Sequence, residues 1–127
     1  TKVALPSTSG VVSISLPTTA KALEVGKDYK WVVEIHCLAD LDPDNPLVDG
    51  WVRRTEVNPT LADKLKQAKT SVERAEVYSE AGIWYEAIAS IADARRSQPQ
   101  DSRLAQSWEE LLTSVGLEAI ATQPLTY

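Results

Sequence analysis

Residues 75 to 99 read AEVYSEAGIWYEAIASIADARRSQP, and this stretch decides the fold. Ala75 and Tyr78 stand one turn apart before Gly82, and Ala87, Ile91 and Ala94 follow it at helical spacing. The pattern predicts two helices folded back on one another, with Gly82 at the turn between them. Small residues let the two backbones approach closely, and aromatic side chains fill the wedge that remains. The first helix begins near Thr70, with Glu73 three residues on, and ends at Gly82. The second covers about Ile83 to Ser97. It stops before Pro99, because the residue preceding a proline is pushed out of the helical region.

In this register the hairpin resembles a tetratricopeptide repeat over nearly one full period. Ala87 matches the small residue of the second helix, Ala75 the close-packing position of the first, and Pro99 the end of the unit. Ser71 and Arg74 depart from the usual Trp and Leu at the start. The resemblance implies that the inner helix presents Lys69, Val72, Glu76, Ser79 and Glu80 to a protein or peptide partner. Arrays of such repeats need about three copies to be stable. A single copy is expected to lean on the sheet instead.

Beyond Pro99, Asp101 caps a further helix with Leu104, Trp108, Leu111 and Leu112 inward and Gly116 as its stop. It resembles the capping helix of a repeat array. Leu117 to Thr122 forms a last short turn. Upstream, the period becomes helical at Asn58-Pro59-Thr60, where Thr60 is read as the N-cap with Asp63 three residues on. Leu61, Leu65 and Ala68 make the apolar stripe of that helix.

The first half alternates with a period of two. Val11 to Leu16 and Tyr29 to Leu38 read as strands, and Val48 to Val57 as a third that returns antiparallel after the loop Ala39 to Pro46. Glu24 to Lys27 supplies a turn, and Thr1 to Leu5 reads as the tail of another strand. Tyr29, Trp31, Val33, Ile35 and Cys37 share one face, the pattern of a sheet with one side on a core. The fold class is therefore α+β: a small antiparallel, sandwich-like sheet followed by the helical hairpin and capping helix. The whole is read as one domain over residues 1–127, β-rich to residue 57 and helical from residue 58.

The bulk composition sets limits on function. The chain has 127 residues, 43% hydrophobic and 24% charged, with a net charge of -5. An acidic chain with only the basic pairs Arg53-Arg54 and Arg95-Arg96 is a poor nucleic-acid binder, because phosphate contacts need clustered cations. No apolar run reaches the roughly 18 residues of a membrane span. The chain has no Met and begins at Thr1, so it is read as a processed or truncated product from which any targeting segment would already be gone.

Templates for chemistry fail one by one. His36 and Cys37 are neighbours in a predicted strand, so they point to opposite faces; a buried thiol and a solvated imidazole account for both. The single His excludes most metal schemes. Asp40, Asp42 and Asp44 open like a calcium loop, but the sixth and twelfth positions hold Asn45 and Trp51 where Gly and Glu are required. Glu109-Glu110, and Glu73 with Glu76, read as solvated helix faces. No phosphate loop or serine elbow is present. Trp31, Trp51, Trp84 and Trp108, with Tyr85, are expected to build the interface between sheet and helices, the alternative being an exposed stacking platform. No catalytic residue, cofactor or metal ligand is assigned.

Gly10 to Pro17, Leu23 to Trp31, Asp49 to Val52, Ala81 to Ala87 and the ending Trp108 to Leu117 together resemble the cyanobacterial "domain of unknown function 928" family, in order and over nearly the whole chain. Its members are typically longer, with an export signal and further β-rich sequence upstream. The resemblance implies the C-terminal portion of an exported protein, periplasmic or secreted, and brings no activity with it. The expected role is a non-catalytic interaction module that binds a protein or peptide through its helical part. A structural domain completing a larger β-sandwich, with a sheet edge open to a second copy, is the alternative. An enzyme or a calcium-dependent binding domain is the third.

Overall fold

The structure is a computed structural model that describes residues 2–37 and 42–126. In chain order the elements are β1 (Val11–Val12), β2 (Asp28–Glu34), β3 (Leu47–Arg53), α1 (Pro59–Gln67), α2 (Ser71–Glu80), α3 (Trp84–Ser97), α4 (Ser102–Thr113), a 3-10 turn (Glu118–Ile120) and β4 (Leu125–Thr126). The class is α+β. The chain forms two compact units, one containing the residues up to Leu16 and from Asn58 onward, the other Pro17 to Val57.

In the helical unit, local chemistry sets the ends of the helices. Asn58 Oδ1 accepts the Leu61 N–H at 2.8 Å and Pro59 occupies the first turn of α1. The cap is thus Asn58, not Thr60. Proline at the first helical position costs no hydrogen bond and fixes φ for helix entry, so Asn-Pro starts the helix two residues earlier. At α2, Thr70 Oγ1 accepts the Glu73 N–H at 3.1 Å while the Glu73 carboxylate takes the Thr70 N–H at 3.2 Å, a reciprocal capping box. Gly82 (φ 74°) and Gly116 (φ 77°) occupy the left-handed region. After α2, the Ile83 N–H reaches the Tyr78 carbonyl at 2.8 Å and the Gly82 N–H that of Ser79 at 3.0 Å. After α4, Leu117 bonds Leu112 at 2.9 Å and Gly116 bonds Thr113 at 3.1 Å. Both are Schellman closures, in which a residue without Cβ adopts positive φ at little cost. Asp101 accepts the Arg103 N–H at 2.9 Å at the head of α4. Hydrogen bonds from the Arg103 side chain, then from its backbone, hold the Asp101 carboxyl below its ordinary range.

The core joins three helices. Ala75 of α2, Ala87, Ile91 and Ala94 of α3, and Leu104, Trp108 and Leu112 of α4 are buried together with Ala121. The alanines permit close packing of α2 on α3, and the large side chains of α4 fill what remains. Val11 and Leu125 pack against this cluster.

They do so from a parallel two-residue ladder, in which Val11 pairs with Leu125 and Val12 with Thr126. The Val11 N–H donates to the Pro124 carbonyl at 2.8 Å. A Cβ on Gly10 would lie 2.5 Å from that same oxygen, so only glycine lets the two segments meet. The expectation of a strand from Val11 to Leu16 in one sheet with the later strands is corrected here. β1 pairs with the far end of the chain, and Ile14 and Leu16 beyond it are exposed. Residues 2–5 form no strand, and Thr1 lies outside the described residues.

The other unit is an antiparallel hairpin. β2 and β3 pair Tyr29 with Val52, Trp31 with Gly50 and Val33 with Val48, after a turn in which Gly26 has φ 79°. Directly paired residues share a face, so this face is wholly apolar. The Trp31 ring lies across Gly50, where a Cβ would come within 2.5 Å of it. The opposite face carries the Asp28–Arg53 pair, with bonds of 2.6 and 2.7 Å, and Lys30 with Asp49 at 3.2 Å. The apolar face was expected to be core, yet Trp31 is 38% exposed, Val33 42% and Ile35 40%. Alternation specifies a face; burial needs a second layer on it, and the described residues of this unit supply none. Cys37, expected to be buried, is exposed, because β2 ends at Glu34 and the chain has already left the ladder. Its N–H donates to the buried Asn45 at 3.1 Å. Of the aromatic set, Trp108 is core at 3% exposure and Trp51 is 63% exposed.

Candidate functional site

Helical periodicity aligns two rows of side chains in the helical unit. On α2, Val72, Ala75, Glu76 and Ser79 follow the i, i+3, i+4, i+7 spacing of one face. On α4, Ser107, Glu110, Leu111 and Ser114, the last at its C-cap, repeat the same spacing. The two rows line a single cleft of about 500 Å³, completed by Gly82 and by Trp84 at the start of α3.

Trp84 is half-buried and fixed at both edges. Its Nε1–H donates to the Leu111 carbonyl at 3.3 Å, and Tyr85 meets it edge-on at 5.8 Å. With Val72, Ala75 and Leu111 it gives the cleft an apolar lining. The polar part consists of serines and two carboxylates, Glu76 from one wall and Glu110 from the other. No Lys, Arg, His or Cys lines it. Glu110 Oε1 accepts the Gln106 amide at 2.8 Å.

The five residues placed by repeat register divide between locations. Val72, Glu76 and Ser79 line the cleft. Glu80 lies in a shallower depression of about 280 Å³ shared with Lys64, Gln67 and Glu73, and its carboxylate pairs with Lys64 at 3.2 Å. Lys69 lines neither; its backbone N–H donates to the Glu73 carboxylate at 2.5 Å as part of the α2 cap. Trp84 belongs to the aromatic set for which a stacking platform is the alternative to core, whereas Ser107, Glu110, Leu111 and Ser114 are placed at no site by the sequence. The signal was present in the spacing of residues 107, 110, 111 and 114, but Glu110 was read as solvated and Leu111 as core.

Among the described residues no cluster of three His, Cys, Asp or Glu side chains could hold a metal ion, and Asp40 lies outside them. Asp42 and Asp44 form a local turn in which the Asp44 N–H donates to Asp42 Oδ1 at 3.0 Å. No helix among the described residues is long and apolar enough to cross a membrane.

Over residues 1–125 the chain matches the family described as Domain of Unknown Function (DUF928). It belongs to that family. The match spans both compact units, so the hairpin and the helices are parts of one DUF928 sequence. No curated protein and no solved structure matches the chain.

Proposed function

We propose that this DUF928 chain is a non-catalytic interaction module that takes a protein or peptide segment in the cleft between α2 and α4. The observation that carries this reading is the pair of matched helix faces over a half-buried Trp floor. Concave sites with apolar linings and a few polar groups are where proteins hold ligands. We read the α2–α3 hairpin as tetratricopeptide-like, with α4 as its capping helix. The support is the Ala75–Ala87 packing, the Gly82 turn and the stop before Pro99.

The test is affinity capture from the periplasmic and secreted fractions of the native source, since the family resemblance points to an exported protein. The wild-type chain is compared with Ser107→Trp, which fills the cleft from a partly exposed position without touching the core. At least one protein retained by the wild type and lost by the variant is expected. Identical retained sets would refute the reading.

One observation favours a second reading, that of a structural domain. Among the described residues β2 and β3 pair only with each other, and their shared apolar face is exposed. Two-stranded sheets are marginal alone, so added strands or a second copy would stabilise this one. In that case Val48→Lys shifts the sedimentation of the full protein to a smaller species. Unchanged sedimentation would remove the second copy from consideration.

A further inference from the structure

We infer that the segment held between α2 and α4 is cationic as well as apolar: a peptide carrying Lys or Arg beside a large apolar side chain. This rests on the reading of the cleft as a peptide site. Trp84, anchored to the Leu111 carbonyl at 3.3 Å, offers a ring face for an apolar or guanidinium group. Glu76 and Glu110 bring negative charge from opposite walls, and both are exposed. Neighbouring acids on α2 are already engaged, Glu73 in the capping box and Glu80 with Lys64 at 3.2 Å. Among the described residues no hydrogen bond or ion pair engages the Glu76 side chain, and the Glu110 carboxylate meets only the neutral Gln106 amide at 2.8 Å. Of the three α2 carboxylates, the uncommitted one therefore lies at the cleft.

With no cation in the lining, an acidic segment or a terminal carboxylate would enter against like charge. A Lys or Arg would find carboxylate acceptors on either side, and Arg can engage a carboxylate through two parallel bonds. The adjoining depression extends the same sign, with Glu73, Glu76 and Glu80 against a single Lys64. The net charge of -5 steers cations in the same sense at longer range.

The experiment pans a displayed library of short random peptides against the full chain. Recovered peptides are then titrated by fluorescence anisotropy against the wild type, Ser107→Trp and the double variant Glu76→Gln/Glu110→Gln. Both glutamines are near-isosteric and exposed, so circular dichroism should match the wild type. Recovered sequences are expected to be rich in Lys or Arg next to Trp, Leu or Phe. Their binding should be lost in Ser107→Trp and weakened about fivefold or more in the double variant, as two partly exposed ion pairs imply. Raising salt from about 50 to about 300 mM should weaken it likewise. Peptides that require an open cleft but lose less than that in the double variant would overturn the cationic inference and leave the cleft reading standing. Recovery of no peptide, or only of peptides indifferent to Ser107→Trp, would overturn both.

Discussion

Trp108→Ala is expected to destabilise the helical unit by about 3–5 kcal/mol. Trp108 is 3% exposed and sits among Leu104, Leu112 and the α3 residues of the core, with the Arg95 guanidinium 5.3 Å from its ring centre. Removing the ring opens a cavity in a unit whose other large core side chains are few. It also leaves the Arg95 stem and charge without the surface they cover. The partner variant Trp108→Phe separates packing from polarity. The indole Nε1–H is buried and finds no acceptor among the described residues. Phe removes that orphan donor, a gain of about 1–3 kcal/mol, against a smaller loss of volume. Trp108→Phe should therefore lie within about 1.5 kcal/mol of the wild type. Urea unfolding followed at 222 nm reads α1 to α4, all of which lie in this one unit. An alanine variant within about 1 kcal/mol of the wild type would contradict the assignment of Trp108 as the central packing element.

How far the sequence could be read depended on whether the deciding interaction was local. The helices were legible because their ends are encoded within three or four residues. Thr70 with Glu73, Gly82, Asp101 and Gly116 each act on backbone groups a turn away. Where two local signals competed, as at Asn58 and Thr60, the proline between them decided. The sheet was legible only as far as its hairpin. The β2–β3 ladder follows from two alternating segments and a return loop, whereas β1 finds its partner at the other end of the chain. Alternation in Val11 to Leu16 carries no information about a two-residue partner at Leu125–Thr126, and a six-residue strand was the wrong inference from it. The apolar face of Trp31 and Val33 failed differently. Its pattern was read correctly, but a pattern cannot show whether a second layer lies on it. For the cleft, repeat register names Val72, Glu76 and Ser79 of the α2 wall, while Lys69 and Glu80 fall outside it and Ala75 reads only as a close-packing residue. The α4 wall did not follow from it, because Leu111 is at once a core neighbour and a cleft residue.

Ile91 gives the second large effect, and its size follows from what surrounds it. It is fully buried at 0% exposure, between Ala87 at 0% and Ala94 at 8% on the same face of α3. Ala75 of α2 belongs to the same cluster. Alanines have no rotamers with which to enter a void, so on the α2 side the space left by Ile91→Ala closes only if helices move, while the α4 side chains Leu104, Trp108 and Leu112 can adjust into it. The cost should accordingly fall in the upper part of the roughly 2–5 kcal/mol range for such truncations. Ile91→Val, which removes a single methyl, should cost only about 0.5–1.5 kcal/mol. The same rigidity bears on the site. Ala75 lines the cleft while it packs in the core, so any settling of α2 toward the vacated space changes the distance between the walls that carry Glu76 and Glu110. Ile91→Ala is thus expected to lose stability and peptide capture together, and Ile91→Val to retain both. Equal unfolding free energies for the two variants would show that this part of the core relaxes freely, and that the α2–α3 contact does not hold the cleft open.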